Sequence, residues 1–92
     1  MKTIPPLYLQ LRREYFLEIL AGRKTIEYRD KTEFYARKLF AREWDRVRFR
    51  NGYHNPAPEM IVALRFIDDS DPDAYELHLG KILWTQHIDL LR

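Results

Sequence analysis

Gly22-Arg23-Lys24-Thr25-Ile26-Glu27-Tyr28-Arg29 is the stretch on which the fold of this chain turns. It begins where helical spacing stops and ends in period-two alternation, so it joins a helix to a strand. Upstream, Phe16, Ile19 and Leu20 make one stripe over Arg13 to Ala21, with Glu14 and Glu18 off it. Gly22 is placed to end that helix in the left-handed conformation. Downstream, Ile26 and Tyr28 share one strand face and Thr25, Glu27 and Arg29 the other. This pattern predicts the apolar pair in the core and the polar trio on a surface or cleft.

The same alternation recurs on both sides. Leu7, Leu9 and Leu11 alternate with polar residues just after Pro5-Pro6, which predicts a first strand. Lys31 to Glu43 reads as a second helix, with Thr32 as N-cap. Its i,i+4 pairs Tyr35–Leu39 and Ala36–Phe40 mark the buried side. Arg46-Val47-Arg48-Phe49-Arg50 alternates strictly: Val47 and Phe49 go inward, and three guanidiniums stand outward about 6.6 Å apart. Asn51-Gly52 is a turn signal, and Pro56 and Pro58 lengthen the loop after it. Met60 to Ile67 is nearly all apolar, a well-buried strand. Tyr75 to Leu79 alternates again, Gly80 interrupts, and Lys81 to Trp84 continue the strand past a bulge. The last stretch, with Ile88, Leu90 and Leu91, suits an edge strand or a short helix. The order predicts an α+β fold: a small, partly closed β-barrel with about two helices packed outside it or closing one end.

Ninety-two residues make one domain, 1–92. With no cysteine, disulfides, thiolate metal sites and cysteine nucleophiles are excluded together. No apolar run reaches the ~18 residues of a membrane span, and Met1 to Pro6 lacks an apolar signal core. The expected compartment is the cytoplasm. His54, His78 and His87 are far apart and show no ligand spacing, so no metal and no cofactor are expected. Asp69-Ser70-Asp71-Pro72-Asp73 starts like a calcium loop. It has Ala74 and Gly80 where that loop needs glycine and glutamate, and it reads as an acidic turn.

The net charge of +2 conceals two opposed halves. Residues 1–50 carry thirteen Lys and Arg against seven Asp and Glu; residues 51–92 carry three against seven. Arginine outnumbers lysine eleven to five. An Arg-rich half suits a polyanionic partner, because guanidinium forks onto phosphate and stacks on bases. Mutual neutralisation of the halves within the fold explains the same composition.

Gly22, Lys24, Glu27 and Arg29 fit Gly-x-Lys-x-x-Glu-x-Arg after an amphipathic helix, Tyr15 to Ala21. In this the chain resembles the ASCH domains of the PUA-like superfamily. Leu77-His78-Leu79-Gly80-Lys81-Ile82 also resembles a closing strand of related proteins. The resemblance implies a PUA-like barrel whose cleft, beside the helix–strand turn, takes RNA or a modified nucleoside. One departure is Trp44, which stands where related domains have a glycine before a strand, so that turn must differ here.

The resemblance makes Lys24, Thr25 and Glu27 candidate catalytic residues. A relative that deacetylates N4-acetylcytidine uses a lysine-activated threonine, but its position is Glu27 here. A carboxylate there changes the mechanism. For binding, the candidates are Arg12, Arg13, Arg23, Lys24, Glu27, Arg29, the row Arg46, Arg48 and Arg50, and Tyr53 as a stacking ring. An internal ion pair of Glu27 with Arg29 or Lys24 is the structural alternative. Three functions follow: a nucleic-acid-binding module, a hydrolase or ribonuclease of the same fold, and a protein-interaction domain with a basic face.

Overall fold

The computed structural model describes residues 4–91. Met1 to Thr3, part of the stretch read for a signal core, and Arg92 lie outside the described residues. The chain order is β1 (Leu7–Gln10), α1 (Arg13–Leu20), β2 (Ile26–Asp30), α2 (Glu33–Leu39), β3 (Arg46–Arg50), β4 (Glu59–Asp68), β5 (Ala74–Gln86) and a 3-10 turn (Ile88–Leu91). Among the described residues, five strands form one mixed sheet in the order β1-β3-β4-β5-β2. Only the β1–β3 pairing is parallel. The sheet curls into a half-barrel, so its edge strands β1 and β2 approach each other across the open side. No helix among the described residues is long and apolar enough to cross a membrane.

Alternation sets what enters the core. Leu7, Leu9, Val47, Phe49, Met60, Val62, Leu77 and Leu79 point to one side of the sheet and are buried. Phe16 and Ile19 of α1 and Leu39 of α2 belong to the same cluster. Both helices therefore turn apolar residues into the core that the curled sheet lines. Burying a side chain such as Phe16 completely contributes about 1.5–3 kcal/mol.

Local signals place the ends of the elements. Gly22 has φ +79°, its N–H bonds to the Ile19 carbonyl, and the Arg23 N–H reaches the Glu18 carbonyl, both at 3.0 Å. This Schellman cap turns the chain from α1 towards β2, and a side chain at position 22 would be strained in that conformation. The Thr32 hydroxyl accepts the Tyr35 N–H at 3.2 Å, as its capping role requires. Helix α2 stops at Leu39, four residues before the predicted end. Beyond it, the Trp44 indole donates to the Leu39 carbonyl at 3.0 Å and folds the 40–45 turn back on the helix. The 40–45 turn is thus closed by an indole rather than by a glycine.

The bulge expected at Gly80 is present. Val62 pairs with Ile82 but Leu64 with Leu79, so β5 carries one extra residue there. A Cβ at Gly80 would sit 3.2 Å from that of Ala63. At the C-terminus β5 runs on to Gln86, and Ile88–Leu91 form a 3-10 turn, so the short helix is the alternative that Ile88, Leu90 and Leu91 adopt.

Candidate functional site

The apolar pair of β2 does not enter the core as expected, although Glu27 and Arg29 of the polar face do line a cleft. Tyr28 is exposed, whereas Glu27 is only 5% exposed and Arg29 is half-buried. The reason lies in the partner strand. Glu27 pairs with Leu77 and Arg29 with Tyr75, both core residues of β5, while Ile26 and Tyr28 pair with His78 and Glu76. A one-residue slip would exchange the two faces, so the registry with β5 decides which side of β2 enters the barrel.

An edge strand at a seam can turn charge inward only if that charge is satisfied. Arg29 meets the requirement. Its Nε and Nη2 donate to Glu27 Oε2 at 3.0 and 2.7 Å. Nη1 donates to the Tyr35 hydroxyl at 3.2 Å, and Nη2 to the Gln10 carbonyl at 2.8 Å. The last bond crosses from β2 to β1. One guanidinium thus ties the two sheet edges together and anchors α2 through Tyr35.

Glu27 Oε1 faces Lys24 Nζ at 3.4 Å. That ammonium also lies 5.3 Å from the Tyr15 ring centre and 5.0 Å from that of Tyr28. The glutamate oxygen towards Lys24 is the less saturated of the two, since Arg29 occupies the other.

A cleft of about 410 Å³ opens onto this cluster, lined among others by Gln10, Arg12, Tyr15, Glu27, Arg29 and Tyr35. Two smaller hollows continue it past Gln10, one of about 260 Å³ towards Asn51 and Tyr53 and one of about 320 Å³ towards Phe34 and Lys38. With the hollow towards Phe34, which shares Gln10, Arg29 and Tyr35 with it, the cleft forms a groove along the β1–β2 seam. Tyr53, 86% exposed, stands beside both smaller hollows. Arg12 is exposed at the mouth and has no ion-pair partner among the described residues.

The remaining candidates fall elsewhere. Thr25 is exposed and outside the cleft lining, and its carbonyl accepts the Leu79 N–H at 2.9 Å. Arg23 is paired with Glu18 at 2.9 Å, and Arg13 donates to the Leu91 carbonyl. The hydrogen bond that Arg23 donates holds the Glu18 carboxyl below its ordinary range, and donating it to the carboxylate raises Arg23 in turn.

The arginine row is not an open comb of cations. Arg48 and Arg50 converge on buried Glu59 at 2.6 and 3.2 Å. Arg46 pairs with Asp45 at 3.0 Å and donates to the Ile4 carbonyl. Arg48 also packs 5.4 Å from the Trp84 ring centre, and its bond to Glu59 raises its pKa. Neutralisation within the fold, one of the two readings of the charge split, operates on this face. Glu59 was missing from the sequence candidates because it lies nine residues beyond Arg50, across a loop whose path the sequence leaves open. The cleft lining likewise gains Gln10, Tyr15 and Tyr35, which come from three different elements.

No protein-family model, curated protein or solved structure matches this chain.

Proposed function

We propose that this chain is a small RNA- or nucleotide-binding module that holds its ligand in the seam groove between β1 and β2. The observation that carries the reading is the cleft beside the Lys24–Glu27–Arg29 cluster, with tyrosine rings at its rim and the Arg12 guanidinium, which has no ion-pair partner among the described residues. Its volume of about 410 Å³ lies in the ~300–1,000 Å³ range of small-ligand sites. In this reading Glu27 Oε1 accepts from a base amino group. Tyr15 and Tyr28 offer stacking surfaces, and Arg12 meets a phosphate. Arg29 is a positioning residue: three of its donors serve Glu27, Gln10 and Tyr35, so its task is to hold the carboxylate in place.

The ASCH resemblance and the PUA-like barrel belong to the same proposal. Glu27 and Arg29 of the motif line the cleft, which supports the resemblance. A cytoplasmic location suits such a partner. The hydrolase alternative is less well supported, because Thr25, its candidate nucleophile, is absent from the cleft lining.

The test is fluorescence anisotropy with single-stranded RNA at near-physiological salt. Arg12→Glu should weaken binding at least about tenfold, and Tyr15→Ala by about 5- to 150-fold if a base stacks there. Arg37→Glu, on the exposed face of α2, should leave binding unchanged. Wild-type affinity in both cleft variants, or no binding by the wild type, overturns the proposal.

A further inference from the structure

On the outer face of the sheet three potential ligands meet. Asp68 of β4 pairs directly with Glu76 of β5, and His78 lies two residues further on the same face. One ligand atom from each lies within 4.8 Å of the other two. All three residues are partly buried. From this geometry we infer a binding site for a divalent first-row transition ion of the zinc class, held by Asp68, Glu76 and His78.

Two carboxylates directly opposite on neighbouring strands repel each other. The cations near them are few. Lys31 donates to the backbone carbonyls of Asp69 and Asp71, and His78 Nε2 lies 3.1 Å from Glu76 Oε1. A dication between the carboxylates removes that repulsion. The spacing also suits it: ligand bonds of about 2.0–2.2 Å in a tetrahedral site put ligand atoms about 3.3–3.5 Å apart. The His78–Glu76 separation of 3.1 Å is already close to that, and the Asp68 oxygen lies within 4.8 Å of both.

Neighbouring groups hold the ligands in position. The Phe66 ring stacks on the His78 imidazole at 4.2 Å and 15°, which fixes the plane of the ring. The Ser70 N–H donates to Asp68 Oδ1 at 2.8 Å and orients the carboxylate. Such outer partners orient ligands in established metal sites. An imidazole with two carboxylates favours zinc-class ions over calcium or magnesium, which prefer oxygen ligands throughout. Three protein ligands leave a coordination position for water.

Calorimetric titration of the metal-free chain with zinc chloride, alongside magnesium chloride, tests the site. We expect one zinc per chain and no matching magnesium signal. His78→Ala and Asp68→Asn should each weaken zinc binding at least about tenfold. His54→Ala, which removes an exposed histidine on a different loop, should not. A zinc-dependent rise in the unfolding temperature should appear in the wild type and vanish in His78→Ala. Absence of zinc binding at millimolar metal, unchanged affinity in His78→Ala, or loss in His54→Ala would each overturn the inference.

Discussion

Replacing Arg29 with methionine should open the seam. The substitution keeps an unbranched side chain of similar reach and removes four hydrogen bonds, two to Glu27 and one each to Tyr35 and Gln10. Glu27 is then left nearly buried, with Lys24 at 3.4 Å as its only counter-charge among the described residues. Breaking a buried pair from one side costs about 3–5 kcal/mol, because the remaining charge is desolvated and uncompensated. A chain of this length has a total stability of about 5–14 kcal/mol, so the variant loses a large part of it. At about 4 °C or more per kcal/mol, the midpoint of thermal unfolding should fall by at least about 12 °C. The paired variant Glu27→Met/Arg29→Met removes both charges and should be more stable than the two single losses added together. We expect a coupling of about 1–3 kcal/mol, measured by urea unfolding followed by circular dichroism. A loss below about 1 kcal/mol in Arg29→Met, or strictly additive losses in the pair, would refute the reasoning. The guanidinium would then be a surface bystander rather than the tie between β1 and β2.

Glu59→Gln tests the neutralised arginine row. It should cost about 1.5–3 kcal/mol, since two charge-assisted hydrogen bonds lose their carboxylate. Freed for phosphate, Arg48 and Arg50 should steepen the salt dependence of RNA binding by up to about 1.4 log units per log salt, at ~0.7 each. An unchanged slope would mean that the row stays out of reach of RNA even when unpaired. Glu18 gives a pH signature. Its pKa lies below the ordinary 4.5 chiefly through the hydrogen bond from Arg23. A carboxyl with a lowered native pKa stabilises above its unfolded value and loses that contribution as pH falls through the native one. The difference in unfolding midpoint between wild type and Glu18→Gln should therefore be constant above about pH 5.5 and disappear below the ordinary carboxylate range. A difference that grows on acidification would show the opposite linkage.

The physical basis of each element was legible along the chain. Apolar alternation marks β1, β3 and the first half of β5, and the stripe of Phe16 and Ile19 marks α1. Gly22 and Thr32 sit at element ends for backbone reasons that need no tertiary partner. The bulge at Gly80 was legible too, because a glycine inside an alternating strand breaks the period. The end of α2 was not, since the Trp44 indole that closes the 40–45 turn acts through a hydrogen bond to Leu39.

The candidate site was legible as residues but not as roles. Gly22 to Arg29 marked the place, yet alternation alone sent Tyr28 inward and Glu27 outward. Hydropathy ranks a tyrosine above a glutamate for burial, and that ranking holds only when the interior is apolar. At this seam it is not: a carbonyl of the opposite edge and the Tyr35 hydroxyl wait there for a donor.

Local propensity and period determined by themselves that this chain alternates strands with two helices, and roughly where each element begins. They depend on neighbours within a few residues, which the sequence states directly. Tertiary structure alone decided which face of β2 enters the barrel, that Glu59 neutralises Arg48 and Arg50, and that Asp68 meets His78. Each of these depends on strand registry or on contacts across a loop, and registry is a property of pairs of strands.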